Sequence, residues 1–333
     1  MTSLAEASDC VRRQPRAVVA LGGNALLPRG EPLSAANQAR AARAAARALA
    51  GVRSHQFVVT HGNGPQVGLL ALMGDAYRDV PPYPLDVLDS ETEGQIGYML
   101  ELELELNNAM PALETVTVLT RVIVDAEDPA FSVPSKFVGP VYSEDQSRSL
   151  AEQHGWSVAR DGDAWRRVVS SPEPRRIVQL RAIERLVDDG FLVVCAGGGG
   201  IPVIEASDGR QSGVEAVIDK DLASALLACA LGVDTLVLAT DVEAVFEGCG
   251  TSAQRPIGDA TPATLRAQRF AAGSMGPKVE AVCRFVERTG GRGVIGSLGE
   301  IEALLDGRAG TQVLADERQA LTGEGDVGHG RAA

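Results

Sequence analysis

Three lysines are the side chains in this sequence that are best suited to chemistry. Of the 31 basic residues, 28 are arginine, and the others are Lys136, Lys220 and Lys278. Since arginine is the default cation of this chain, a lysine is expected where a compact ammonium with rotatable donors is needed and a planar guanidinium does not fit. Chance is the alternative, but all three lysines lie in turn-rich or helix-starting contexts that suit an anion. Together they predict a site that handles phosphate.

Two aspartates flank the second of these lysines, in the sequence Asp219-Lys220-Asp221 at the start of a predicted helix. Asp219 is expected to cap that helix and to complement its dipole. Asp221 is expected to hold the ammonium of Lys220 in place. The segment therefore predicts a lysine fixed at an anion-binding helix end.

Glycine-rich turns follow three of the predicted strands. Glycines there let main-chain N–H groups approach a ligand closely, and a helix N-terminus behind them favours an anion. A purely structural role in tight turns is the alternative. No GxxxxGK[ST] loop occurs, and no GxGxxG opens a helix, so a Walker A site and dinucleotide binding have no support. The candidate substrate-binding residues of these turns are Gly22, Gly23, Asn24, Gly62, Asn63, Gly64, Gly198, Gly199 and Gly200.

Other polar residues give weaker signals. Asp241 follows a predicted strand, where it either touches a nucleotide or caps a helix. The four histidines have no metal-ligand spacing, and His61 is expected to hydrogen-bond locally. Glu101, Glu103 and Glu105 are expected on a solvated helix face. No Ser/His/Asp or Cys/His arrangement can be argued, and no residue is expected to bind a metal directly.

Strand-like and helical runs alternate along the chain. The predicted strands cover residues 16–21, 56–60, 115–124, 191–195, 234–239 and 292–295, and several are continuous Val/Leu runs typical of buried parallel strands. Helices are predicted over 34–51, 101–106, 177–189, 219–231 and 279–289, with Ser34 as an N-cap and Gly190, Gly232 and Gly290 as left-handed stops. The pattern predicts a three-layer α/β/α sandwich with a mainly parallel open sheet, whose ligands bind beyond the carboxyl ends of the strands.

Three segments depart from this alternation. Residues 125–174 are rich in Pro, Ser, Gly and Asp, and we interpret them as an irregular inserted flap. Residues 1–15 form an N-terminal extension without the apolar stretch of a secretory signal. Residues 316–333 are polar and small, which predicts a disordered tail.

Composition limits the classes of function. The 333 residues carry a formal net charge of −13, with a pI near 4.9, which argues against a nucleic-acid or anionic-membrane surface. No apolar run is long enough to span a bilayer. The five cysteines are scattered without a CxxC pair, which predicts a reduced, cytoplasmic protein.

With these residues assembled, the chain resembles the carbamate kinases of the amino-acid kinase superfamily from about residue 16 to residue 313. The resemblance rests on motifs in the family's order: VVALGGNAL, VTHGNGPQVG, EGQIGY, TVLTRVIVD, PSKFVGP, WRRVVSSPEP, CAGGGGIPV, GVEAVIDKDLAS, TDVEAV and GSMGPKVEA. Two departures, at Phe137 and Ala196, do not touch the chemistry.

The resemblance implies reversible phosphoryl transfer between ATP and carbamate, giving ADP and carbamoyl phosphate. It implies one domain over 16–315, with a carbamate lobe (about 16–190, including the flap) and an ATP lobe (about 191–315), and a homodimer. Lys136, Lys220, Lys278 and Asp221 match the family's catalytic residues, and the glycine and asparagine turns match its substrate-binding turns. The nucleotide-binding candidates are Lys220, Asp241, Val242, Met275 and Lys278.

The implied mechanism follows from the residue types. Carbamate is already an anion, so its oxygen can attack the γ-phosphorus of Mg·ATP without a general base. The protein has to hold two anions together and offset charge on the moving phosphoryl group, while Mg²⁺ binds mainly through the nucleotide phosphates.

Two rival functions stay open. A relative that phosphorylates acetylglutamate or aspartate would want a cation near the second glycine turn, yet no Lys or Arg occurs between His61 and Tyr77. A non-catalytic metabolite or nucleotide sensor on the same fold would be expected to lose a phosphate lysine, and all three are present.

The lysine count generates a first prediction. Lys220→Arg and Lys278→Arg should lower turnover by about 10²- to 10³-fold, because a wide planar guanidinium misplaces the charge against the phosphoryl oxygens. Lys136→Arg should lower turnover by a smaller factor if the flap can adjust its position. Arg43→Lys is the surface control, and kcat with unchanged melting temperature is the measurement. Near-normal turnover in the Lys220 and Lys278 variants would mean that these positions carry lysine by chance and not because the chemistry requires it.

Overall fold

The protein is described by a computed structural model over residues 14–27, 31–77, 79–107, 114–248, 254–268, 270 and 275–316. Its strands are β1 (Arg16–Leu21), β2 (Gln56–His61), β3 (Thr115–Val118), β4 (Arg121–Ile123), β5 (Lys136–Tyr142), β6 (Ser157–Asp161), β7 (Ala164–Val169), β8 (Arg176–Ile177), β9 (Leu192–Cys195), β10 (Ile201–Glu205), β11 (Gln211–Gly213), β12 (Thr235–Thr240), β13 (Val245–Glu247), β14 (Arg255–Ile257), β15 (Asp259–Ala260), β16 (Arg292–Ser297) and β17 (Thr311–Val313). Its α-helices are α1 (Gly23–Leu26), α2 (Ala35–Ala50), α3 (Gly64–Ala76), α4 (Leu85–Asn107), α5 (Glu144–His154), α6 (Leu180–Asp188), α7 (Lys220–Leu231), α8 (Pro262–Arg266), α9 (Met275–Thr289) and α10 (Ile301–Leu305).

An eight-stranded sheet forms the middle layer, in the order β15-β17-β16-β12-β1-β2-β9-β3. Its pairings are parallel except for the antiparallel pair β16–β17. Successive residues of each central strand face opposite sides, so that Val18 and Ala20 pack into one core while Ala17 and Val19 pack into the other. The predicted α/β/α sandwich is confirmed.

Helices cover both faces of this sheet. The helices α6, α7 and α9 pack on one face, and α2, α4 and α10 pack on the other. The helix caps follow the sequence prediction: Ser34 accepts a hydrogen bond from the backbone N–H of Asn37 at 3.2 Å. Gly190, Gly232 and Gly290 have φ of 95°, 58° and 69°. In the part of the chain that the structure describes, no helix is both long and apolar enough to cross a lipid bilayer.

Two predicted elements have different bounds. The single strand predicted over 115–124 is two strands, because the backbone N–H of Thr120 donates to the buried carboxylate of Glu93 at 3.0 Å and the chain leaves the central sheet. β4 continues in a separate sheet, in the order β11-β10-β4-β8. The helix predicted over 177–189 begins at Leu180, because Ile177 pairs with Val122 in that second sheet.

The helix over residues 101–106 is confirmed as part of α4, but the prediction of a solvated face is wrong for Glu103. Its buried carboxylate accepts three hydrogen bonds, at 2.9 to 3.1 Å, from the guanidinium of Arg43 on α2. Arg43 is therefore a structural residue and a poor control. Arg210, whose side chain is 86% exposed, is the better site for an Arg→Lys control.

The segment 125–174 is more regular than its composition predicts. It contains the antiparallel sheet β5-β7-β6 and the helix α5. Its turn-forming residues lie at the ends of short elements. Ser143 begins α5 and forms a capping box with Gln146, and Gly162 has φ 64° in the turn between β6 and β7. We call residues 125–174 the inserted unit. The predicted extension and tail lie outside the described residues except for residues 14, 15 and 316.

The inserted unit packs closely on α3 and α4. Val138 and Val169 share a core cluster with Val67 on α3 and Leu88 on α4. The closest approach is between Gly68 and Gly139, where an added Cβ on Gly68 would lie 2.0 Å from the Gly139 Cα. A side chain at that position would push the first strand of the inserted unit away from α3.

This contact predicts that alanine at two glycines of α3 changes the free energy of unfolding differently. Gly68→Ala should destabilise the fold by about 1–3 kcal/mol, because the methyl group overpacks the contact with β5. Gly74→Ala is the matched control: its nearest neighbour, Cβ of Pro82, would be 3.9 Å away. It should leave stability unchanged or raise it by up to about 1 kcal/mol. Urea unfolding measures both, and an equal effect of the two changes would contradict the close contact.

Candidate active site

The carboxyl ends of three neighbouring strands meet at one edge of the central sheet. Leu21 of β1 is in register with His61 of β2 and Ala239 of β12. The turns beyond them are joined by backbone hydrogen bonds, from Gly22 to Ala239 at 2.9 Å and from Gly62 to Leu21 at 3.1 Å. The first two glycine turns therefore lie side by side, as predicted for ligands at the end of a parallel sheet.

The helix α7 brings Lys220 onto these turns. A Cβ added to Gly62 would lie 3.4 Å from the backbone nitrogen of Gly23 and 3.7 Å from Cε of Lys220. The Thr60 and Ser224 hydroxyls are 2.6 Å apart and tie the end of β2 to the first turns of α7. Glycine at position 62 thus lets backbone and ammonium approach the same space.

The carboxylate of Asp221 binds two of the three lysines. Nζ of Lys220 donates to Oδ1 at 2.7 Å, and Nζ of Lys278, from the first turn of α9, donates to Oδ2 at 2.9 Å. Asp221 and Lys220 are buried and Lys278 is nearly so. The sequence predicted that Asp221 holds Lys220, whereas its second bond to Lys278 comes from the packing of α9 against α7.

The third lysine comes from the inserted unit. Lys136, the first residue of β5, donates to Oδ2 of Asp219. Oδ1 of the same carboxylate accepts from the backbone N–H groups of Asp221 at 2.9 Å and Leu222 at 3.3 Å. The predicted helix cap is therefore present, and the contact with Lys136 is one that sequence reasoning missed.

The cluster carries an excess of positive charge, three ammonium groups against two carboxylates. Burial alone would raise the pKa of Asp221, but Lys220 and Lys278 outweigh it and hold that pKa well below its usual range. Burial lowers the pKa of Lys220, and the charge of Lys278 adds to this. Burial would lower the pKa of Lys278 as well, yet Asp221 and other carboxylates raise it overall. An incoming anion would offset the excess charge.

The second turn and the glycine run are fixed by a buried polar network on α4. The Asn63 side-chain nitrogen donates to Asp89 at 2.7 Å and to Thr92 at 2.9 Å. The backbone N–H of Gly197 donates to Glu93 at 2.9 Å, and an added Cβ on Gly198 would lie 2.2 Å from the Asn63 side-chain nitrogen. The network positions the backbone of the second turn and of the glycine run at the sheet edge, and ligand binding by Asn63 stays a prediction.

Sequence reasoning missed this network. The buried face of α4 includes Ile96 and Leu100, and it continues toward the start of the helix with Asp89, Thr92 and Glu93. Polar residues at the helical spacing of buried positions were the sequence signal that could have revealed the network. Burial raises the pKa of Glu93 to about 8 and raises that of Asp89 well above its usual range.

His61 makes the predicted local contact. Its Nδ1 lies 3.2 Å from the carbonyl oxygen of Gly62, and burial lowers the pKa of its imidazole to about 4.

The glycine run is held in place by its own amides. Gly199 donates to the Ala196 carbonyl at 3.1 Å and Gly200 to that of Gly197 at 2.9 Å. Gly198, Gly199 and Gly200 have φ of 68°, 102° and 87°, which is why the run is glycine. Ligand binding by these three residues, and by Asn24, whose side chain is outside the described part, stays a prediction.

The remaining candidates lie around the same edge. Asp241 follows β12, and no helix begins there, so the helix-capping alternative is wrong; its charge is among those that raise the pKa of Lys278. Val242 is the next residue along the chain. Met275 opens α9, three residues before Lys278, and Gly64 opens α3, where an added Cβ would lie 3.6 Å from the Phe137 carbonyl.

Comparisons with known proteins identify the family of this chain. The sequence profile of the amino acid kinase family matches residues 15–297. A carbamate kinase of Rhizobium meliloti is 54% identical over 300 residues, which are 89% of this chain and 92% of that protein. One of Haemophilus influenzae is 50% identical over 300 residues, 90% and 96% of the two chains. The solved carbamate kinase from Giardia lamblia bound to AMP-PNP is 36% identical, with a TM-score of 0.80 over 91% of this chain and 99% of that one.

The shared carboxylate generates a prediction about stability and turnover. Asp221→Asn leaves two buried ammonium groups without their counter-charge and should lower the free energy of unfolding by about 3–5 kcal/mol. It should also lower kcat by about 10²- to 10³-fold. Adding Lys220→Met should restore most of the stability and none of the turnover. Denaturant unfolding and steady-state rates measure the two effects, and a double variant no more stable than Asp221→Asn alone would refute the charge argument.

Proposed function

Since the chain belongs to the amino acid kinase family and is a carbamate kinase, an ATP-dependent phosphotransferase, we propose that the three-lysine cluster carries the phosphoryl transfer. One observation supports this assignment above all. Lys220 and Lys278 share one carboxylate beside the glycine turns at the carboxyl edge of the sheet. Two fixed donors of positive charge at a backbone-lined edge suit a group that moves between two anions.

The reaction needs positioning more than proton transfer. A carbamate oxygen forms a bond to the γ-phosphorus of ATP while the bond from that phosphorus to the β-phosphate oxygen breaks, leaving carbamoyl phosphate and ADP. The attacking oxygen already carries its electron pair and charge, so no general base is required. His61 is buried with its pKa lowered to about 4, so it would be neutral, and it has no part in the proposed mechanism.

We assign the two substrates to opposite sides of the lysine cluster. Carbamate would lie against the turns of Gly22, Gly23 and Gly62 in the half formed by residues 16–190, with Lys136 above it. The nucleotide would lie in the half formed by residues 191–315, near Asp241 and Met275. The relative from Giardia lamblia, whose solved structure contains AMP-PNP, supports a nucleotide site in this fold.

Mg²⁺ fits this site as an ion that comes with the nucleotide. Among the residues that the structure describes, no group of three or more His, Cys, Asp or Glu could hold a metal. The central carboxylates of Asp219 and Asp221 already bind lysines. When bound, the ion would come with the nucleotide and offset the negative charge of its phosphates. We propose no residue of this chain as its principal ligand.

A substrate panel tests the proposed function. With Mg²⁺, the protein should form ATP from ADP and carbamoyl phosphate, and it should consume ATP faster with carbamate than with acetylglutamate or aspartate. The reason is that α3, which follows the second turn, offers no cation between Gly64 and Ala76 for an α-carboxylate. A luciferase assay with and without EDTA measures ATP. Faster turnover with either amino-acid substrate would overturn the assignment to carbamate.

We further propose that two copies of the chain associate through the outer face of α4. This face exposes apolar side chains four residues apart, and it lies next to β3, the edge strand of the central sheet. Leu119, just after β3, is 48% exposed. The exposed large apolar side chains of the helix are Tyr98 (65%), Leu102 (42%) and Leu106 (70%). A row of large apolar side chains left exposed on one helix face suits a subunit interface.

Charges on this face should separate the copies. In sedimentation equilibrium the unmodified protein should be a dimer, and Leu102→Glu with Leu106→Glu should give a monomer. Val133→Glu with Val141→Glu places the same two charges on exposed apolar residues of the inserted unit and should leave the dimer intact. A dimer that survives the double change on α4 would exclude this face.

A cytoplasmic location stays a prediction. The cysteines in the described part of the chain, Cys195, Cys229 and Cys283, carry free thiols, which supports a reducing compartment. Alkylation of the unfolded protein with and without reductant measures this, and a difference in mass between the two would count against it.

A further inference from the structure

The carboxylate of Asp219 has two separate tasks. Its Oδ1 accepts the backbone N–H groups of Asp221 and Leu222 at 2.9 and 3.3 Å, which caps α7. Its Oδ2 accepts the ammonium of Lys136, which is 83 residues away in sequence and belongs to the inserted unit. One side chain thus joins the start of the helix that carries Lys220 to the start of the strand that carries Lys136.

The ion pair lies where the inserted unit joins the main body. Lys136 is in register with Val169 on β7, and the backbone N–H of Val217 donates to the carbonyl of Ser170 at 2.9 Å. The side chains of Lys136 and Asp219 are only 27% and 12% exposed. Their attraction is therefore screened less than that of a surface pair, and it acts on an ammonium that could otherwise turn toward solvent.

We propose that Asp219 is a positioning residue for phosphoryl transfer, which holds the ammonium of Lys136 beside the head of α7. This inference rests on the proposed function of the lysine cluster. A lysine ammonium has three N–H donors, so the bond to Asp219 leaves two for the oxygens of the transferred group. The two aspartates position different lysines. Asp221 positions Lys220 and Lys278 within the main body, and Asp219 positions Lys136 of the inserted unit.

Asp219→Asn separates the two tasks of this side chain. Asparagine caps a helix as well as aspartate does, so the start of α7 should be kept while the negative charge at Lys136 is lost. We expect kcat for ATP formation from ADP and carbamoyl phosphate to fall by about 10- to 100-fold, as for a misplaced catalytic group. The KM for ADP should change by less than roughly twofold, because Lys136 is not a nucleotide contact in this assignment.

A double-mutant cycle identifies Lys136 as the route of the effect. Lys136→Met alone should lower kcat by about 10²-fold or more. Asp219→Asn added to Lys136→Met should then change kcat by less than roughly twofold, since the residue it positions is gone. Asp189→Asn, which removes a carboxylate from an exposed pair with Arg185, is the charge control and should leave kcat unchanged.

Hydrogen exchange of the ligand-free protein gives a readout independent of activity. Asp219→Asn should reduce the protection of residues 136–142, while the first turn of α7 keeps its protection. A normal kcat in Asp219→Asn, a loss of kcat that is as large in the Lys136→Met background, or unchanged protection of β5 would each overturn the inference. If the unmodified protein forms no ATP, the proposed function fails, and the exchange measurement still decides whether Asp219 holds Lys136.

Discussion

The contact on which the site depends is a single carboxylate shared between two ammonium groups. Asp221 binds Lys220 and Lys278 at 2.7 and 2.9 Å in a buried position. Two lysines so close together would repel each other without it, and burial would push their pKa values down. The carboxylate keeps charge available at the sheet edge, where a phosphoryl group would have to be held as it moves between two acceptors. α7 and α9 must pack in one fixed relation for this contact to form.

That relation is set by apolar side chains, since Leu227 of α7 and Val282 of α9 lie in one core cluster. Other parts of the site are held by close backbone packing. Glycines remove side chains at the points where segments approach, as at Gly68 against Gly139 and at Gly198 against Asn63. Buried polar residues of α4 also fix the position of the site backbone. Asp89 accepts a hydrogen bond from Asn63 in the second turn, and Glu93 accepts one from Gly197 in the glycine run. Rigid elements therefore hold the parts of the site that the main body supplies, while Lys136 comes from a unit with its own small sheet.

Asp219 matters because Lys136 belongs to the inserted unit, which has a sheet of its own. A charge brought from a separate unit has to be positioned by a contact across the junction, and the Lys136–Asp219 pair is such a contact. Asp219 and Asp221, two residues apart at the head of one helix, order lysines from three different elements. Asp221 holds the two lysines of the main body, and Asp219 holds the one lysine of the inserted unit. The three ammonium groups are therefore held by two carboxylates.

The sequence alone determined the alternation of strands and helices, the glycine stops of the helices and the identity of the three lysines, because these depend on local propensity, hydrophobic pattern and composition. The partner of Lys220 was also predictable, since Asp221 is its neighbour. Only the tertiary structure decided that Asp221 also binds Lys278, that Asp219 binds Lys136 and that Glu103 is buried against Arg43. Each of these joins elements that are distant along the chain. Local pattern cannot specify such contacts, because they arise when the burial of apolar faces brings the elements together.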